Sequence, residues 1–198
     1  MNQIKDGRLM LVLGGLAASL ILAVFGIVAI VTGIQGRNEV QDTLAREHIV
    51  GTADSTIPGL LVNNGSRAQA MADVMREHTL KSSGGLTYAD MGRFKIADGS
   101  PKGTNDAALA VKDAQGLPVS NSIRDLWISE TALTTALNTA YFAEQVGTFA
   151  IVMGIALTLT AVGFVVLTLG ALWHRKAVDN AVVAPAPRTQ AVEATSRI

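Results

Sequence analysis

Two long apolar runs set the pattern of the chain. Leu9–Ile34 is 26 residues and Val146–Trp173 is 28 residues, and neither contains a formal charge. The hydrocarbon layer of a bilayer is about 30 Å thick and a helix rises about 1.5 Å per residue, so each run predicts a membrane-spanning helix. Between them, Asn38 to Val50 continues the first helix, with Val40, Leu44 and His48 four residues apart. Gly51, Pro58 and Gly59 break it. Ser66 to Lys81 predicts a second helix, its stripe formed by Met71, Val74, Met75 and His78, stopping before Gly84-Gly85. Thr87 is placed to cap a short turn through Tyr88 and Met91, and Ala97 to Asn105 reads as a surface loop. Thr104 or Asn105 then starts a weak Ala-rich helix to Gln115, ended by Gly116 and Pro118. From Ser122 nothing breaks the helix. Ile123, Leu126, Trp127, Leu133, Leu137, Ala140 and Tyr141 lead into the second apolar run, which predicts one helix of about 50 residues, half outside the membrane and half within it.

The fold class expected is all-α: two antiparallel transmembrane helices with a small extracytoplasmic helical domain, the second span continuous with a long outer helix. The order is an N-tail (1–8), the first span (9–34), the outer domain (35–145), the second span (146–173) and a disordered tail (174–198). The first run is too long for a signal-peptide core and lacks an A-x-A-like site, so it reads as a retained helix. Lys5 and Arg8 precede the first span, and Arg175 and Lys176 follow the second, placing both termini in the cytoplasm and the protein in the plasma membrane as a multi-pass chain. Arg37 and Arg46 argue in the opposite sense. Trp173 suits the interfacial aromatic belt.

Both spans carry small residues at helical spacing: Gly15, Ser19 and Ala23, then Ala29 and Gly33, in the first; Ala150, Gly154 and Thr158 in the second. Small residues on one face let helix backbones approach closely, which replaces the hydrophobic drive that lipid does not supply. These eight are the candidate packing residues. Composition fits a membrane chain, with hydrophobic residues at 49%, charged residues at 16% and a mean hydropathy of +0.35. The formal net charge is zero, which points away from nucleic acid. There is no cysteine, which excludes disulfides, thiolate metal sites and thiol catalysis. No cofactor is expected, and the expected partners are the lipid bilayer and either a second copy or another membrane protein.

Arg76-Glu77-His78-Thr79, Gly84-Gly85-Leu86-Thr87-Tyr88 and Ile123-Arg124-Asp125-Leu126-Trp127, leading into Phe142 and the second span, resemble a group of uncharacterised actinobacterial two-span membrane proteins. The resemblance in layout runs from the first span through the second. Some of that group bear the automatic label aromatic ring-opening dioxygenase, which implies a non-haem iron held by two histidines and a carboxylate. Outside the flank of the second span only His48 and His78 are available, next to Glu47 and Glu77. Adjacent residues on a helix point about 100° apart, so neither Glu-His pair chelates one metal. Both histidines lie on apolar stripes and read more simply as core residues; they form a polar site only if their helices pack together. The repeated Arg-Glu-His tripeptide extends no further, and Gly84-Gly85 lacks the Lys and hydroxyl residue of a phosphate loop. Three functions follow in order: a non-enzymatic accessory or scaffold protein acting through helix packing; an extracytoplasmic ligand-binding or sensor module signalling through a separate partner; and an iron enzyme.

Overall fold

The computed structural model describes residues 2–183. Met1 and the stretch 184–198, most of the tail expected to be disordered, lie outside the described residues, as do the side chains of Lys5, Arg8, His174, Arg175 and Lys176. Three helices carry the chain: α1 (Asn2–Arg46), α2 (Gly65–Ser82) and α3 (Ser122–Val183), with a 3-10 turn at Tyr88–Asp90 and no strand among the described residues. The helical class is therefore as expected. α3 is unbroken for 62 residues, through Phe142–Thr148, where a break would have separated its polar and apolar parts. It also runs through 174–183, ten residues into the stretch expected to be disordered.

α1 and α3 are each long and apolar enough to cross a membrane, and only 11% of the apolar window of each is buried. A core helix of a soluble protein would be mostly covered. The chain divides into two compact units, one made of the residues up to Ile27 with those from Gly154 onward, the other Val28–Met153. In the first unit Leu11, Leu20, Phe25, Leu159 and Leu167 are exposed, while Ser19, Gly26, Gly154 and Ala161 are buried.

In the second unit the core is a cluster of Leu44, Val62, Ala68, Ala72 and Leu137, with Val40, Ile49, Ile57, Met71, Met75 and Ala140 against it. α2 is held at its start by Asn64, whose side chain accepts from the Arg67 N–H at 3.0 Å. Its buried residues are Gly65, Ala68, Ala72, Val74 and Thr79, so the packed stripe is rotated from the expected one toward small side chains. Met71 and Met75 lie at its margin. Gly84 and Gly85, both at positive φ, close its end, where Gly85 N–H donates to Leu80 C=O at 2.8 Å. Thr87 does cap the short turn, donating through its N–H and hydroxyl to the Asp90 carboxylate at 2.8 and 2.7 Å.

Two sequence expectations are corrected here. α1 ends at Arg46, not Val50, because His48 takes a left-handed conformation (φ 52) that a helix does not continue through. The chain then turns back, pairing Val50 with Leu61. The Ala-rich segment 105–115 is not helical. Asp106 and Asp113 each fold their carboxylates onto following backbone N–H groups, the Ala108 and Gln115 N–H at 2.8 and 3.0 Å, which competes with helix formation. The remaining backbone groups pair across loops, as in Val111 N–H to Lys95 C=O and Lys95 N–H to Val119 C=O, both 2.9 Å. Buried Asn121 ties these loops to α3: its amide donates to Gly92 C=O at 3.1 Å and Pro101 C=O at 2.8 Å, and its oxygen accepts from Ile123 N–H at 3.2 Å.

Candidate functional site

In each of the two units, small residues of α1 and α3 are buried against one another. Of the eight small residues singled out, Ser19, Gly33 and Gly154 are buried, and Gly15, Ala23, Ala29, Ala150 and Thr158 are half-buried. The buried positions recur every seven residues, as Ser19, Gly26 and Gly33 on α1 and Gly147, Gly154 and Ala161 on α3. Seven is the repeat of a left-handed helix pair. Gly26 and Gly147 lie off the four-residue steps of the eight candidates, and the seven-residue spacing that includes them is legible in the sequence. In the first unit a Cβ on Gly26 would collide with Thr158 Oγ1 and would meet Gly154 C=O at 2.8 Å. In the second unit a Cβ on Gly33 would meet Gly147 C=O at 2.6 Å.

Where the apolar part of α3 begins, the second unit holds a buried carboxylate, Glu144. One oxygen accepts from the Gly65 N–H at the start of α2; the other accepts from Gln41 Nε2 at 2.9 Å and Arg37 Nη2 at 3.4 Å. Three helices thus meet on one carboxyl group. Gly65 has to be glycine for this, since a Cβ there would lie 2.7 Å from the Glu144 Oε2 and 2.9 Å from Tyr141 Cα. Burial pushes the Glu144 carboxyl up, but the Gly65 N–H, the Gln41 amide and the Arg37 charge outweigh it and hold the carboxyl below its ordinary value. Beside it opens a cleft of about 550 Å³, walled also by Asn64, Ser66, Arg67, Gln145 and Thr148. A single Glu two residues ahead of an apolar run gives no sequence sign of this role, because its partners lie about 80 to 107 residues away.

The two histidines do not meet on one site. His48 is exposed, with Nδ1 2.8 Å from the Arg46 C=O. His78 pairs with Asp54 at 2.6 Å and is half-buried, fastening the loop after α1 to α2. The hydrogen bond from His78 is the main cause that lowers the Asp54 carboxyl to about 2. Neither histidine is the core residue that its stripe suggested. Among the described residues no group of three or more His, Asp or Glu is placed to hold a metal ion. Glu130 and Glu144, both buried, are 14 residues apart on α3, or about 21 Å along it.

No protein-family model, curated protein or solved structure matches the chain.

The three short motifs quoted above converge in one cluster. Buried Trp127 donates through Nε1 to the Leu86 C=O at 3.1 Å, Arg76 lies 5.4 Å from its ring centroid, and Arg124 stacks on Tyr88 at 3.9 Å. These contacts bind α2, the following loop and the start of α3 to one another. Their chemistry is packing, one hydrogen bond and cation–π attraction.

Proposed function

We propose that this chain is a non-enzymatic integral membrane accessory or scaffold protein of the plasma membrane. Its two apolar helices cross the bilayer antiparallel, both termini are cytoplasmic, and residues 35–145 form a small helical domain outside. It acts by helix packing with a second copy or with another membrane protein. Contact order supports the antiparallel pair: within each unit, later positions of α1 meet earlier positions of α3, as with Gly15 on Thr168 and Gly26 on Thr158.

The observation that carries the reading is a second row of small residues on α3. Ala156, Gly163 and Gly170, again seven apart, are exposed, and among the described residues nothing lies within 4 Å of where a Cβ on Gly163 or Gly170 would stand. Large apolar side chains such as Leu159 and Leu167 flank this row and face outward. A helix that only had to satisfy lipid needs no such groove, whereas a partner helix uses one for close approach. Gly163→Leu fills the groove without touching the chain's own packing. In native membranes, crosslinking of wild-type protein is expected to trap a dimer or a discrete heteromeric complex, and Gly163→Leu is expected to lose it while melting at the wild-type temperature. Strictly monomeric wild-type protein with no trapped partner rejects the reading.

A further inference from the structure

The cleft beside Glu144 has a use beyond packing, and we infer that it binds a phosphate-bearing anion between the guanidinium groups of Arg37 and Arg67. It lies wholly within Val28–Met153 and its walls are polar. Charge comes to two guanidinium groups against one carboxylate, and both oxygens of that carboxylate are already taken by Gly65, Gln41 and Arg37. Arg67 uses only Nη1, on the Leu61 C=O at 2.9 Å and the Asn63 side-chain oxygen at 2.8 Å. Arg37 uses only Nη2. Among the described residues, Nε and Nη2 of Arg67 and Nε and Nη1 of Arg37 have no hydrogen-bond partner. These are unspent donors of the planar kind that grips phosphate oxygens in pairs. Asn64, Ser66, Gln145 and Thr148 add amide and hydroxyl groups around the same space. Among the described residues no aromatic ring lines it, and its one acid is engaged, so these residues offer nothing to the ammonium of a zwitterionic headgroup. A volume of about 550 Å³ accepts a phosphate with its glycerol or sugar substituent.

Two sources supply this chemistry. Arg37 lies three residues past the first apolar run, and Thr148 lies just inside the second. On the membrane reading proposed above, the cleft is therefore at headgroup level, and an acidic phospholipid is the nearest phosphate. A soluble phosphate compound is the other source, and it needs no membrane. The full chain tests both. Native mass spectrometry from phosphatidylglycerol–phosphatidylcholine nanodiscs is expected to retain one phosphatidylglycerol per chain, and none from pure phosphatidylcholine. In delipidated detergent solution, inorganic phosphate raising the melting temperature above a chloride control of equal ionic strength, when no phosphatidylglycerol is retained, identifies the soluble source. Either positive arm must weaken by about tenfold in Arg67→Gln. Because Arg67 also steadies Leu61 and Asn63, Ser66→Glu is the second variant: it places a negative charge in the cleft at the start of α2 and repels the anion, and its far-ultraviolet circular dichroism and melting temperature show whether the fold is kept. Failure of the lipid arm alone counts against the membrane placement. Failure of both arms, or binding unchanged in both variants, overturns the site.

Discussion

Glu144→Ala is expected to destabilise the helical domain by about 3 kcal/mol, the usual cost of stranding donors to a buried charged acceptor. Three donors lose their acceptor at once: the Gly65 N–H, the Gln41 amide and the Arg37 guanidinium. In a chain of this size that corresponds to a fall in melting temperature of roughly 10 °C, read by far-ultraviolet circular dichroism in a mild detergent. Glu144→Gln falls between, because its carbonyl still accepts on one side while its amide turns a donor toward another donor. The pH dependence has a fixed sign. The Glu144 carboxyl is held below its ordinary value of 4.5, so the folded state binds protons less readily than the unfolded chain. Its stabilisation is in full force above that ordinary value and is lost as pH falls through the folded-state value. Wild-type stability should drop over this window, and the drop should be smaller in Glu144→Ala. Equal acid sensitivity in the two proteins would assign the loss to other carboxylates.

Gly33→Leu is the second large effect. A Cβ at Gly33 would stand 2.6 Å from the Gly147 C=O, 2.8 Å from Ile151 Cγ1 and 3.1 Å from the Ile151 N. Two of these atoms are backbone, so no rotamer change relieves the clash and the helices must separate. Overpacking of this kind costs about 1–3 kcal/mol, and a leucine with backbone on the far side belongs at the upper end. Gly36→Leu, three residues along the same helix, is the control: Gly36 is exposed, with nothing within 4 Å. Gly33→Leu should melt several degrees below wild type and Gly36→Leu close to it. Equal melting of the two variants would mean that Gly33 is not a contact.

The long elements were legible because hydropathy and the absence of breakers report directly on helix formation. Leu9–Ile34, Val146–Trp173 and the unbroken run from Ser122 needed no tertiary information. α2 was legible in extent, through Asn64 before it and Gly84-Gly85 after it, but its packed face was not. Methionines and His78 drew attention by hydrophobicity, whereas Ala68 and Ala72 are buried because small side chains admit a close neighbour. The end of α1 was misplaced because histidine carries no strong breaker signal, and only the backbone reveals His48 in the left-handed region. Composition misled at 105–115, where alanine suggested helix while aspartate turns and pairing across loops took the backbone instead. The cleft was invisible because each of its residues is an ordinary polar residue until three helices bring them together.

On the proposed topology both apolar helices cross the membrane and hold the domain between them outside. A chain without cysteine makes this directly measurable, since any introduced thiol is the only one present. Single cysteines at Ser100, in the loops of the domain, and at Ser196, near the C-terminus, are exposed to a membrane-impermeant maleimide in intact cells and again after lysis. Labelling is expected at Ser100→Cys in intact cells and at Ser196→Cys only after lysis. Labelling of Ser196→Cys in intact cells, or protection of Ser100→Cys until lysis, contradicts that topology.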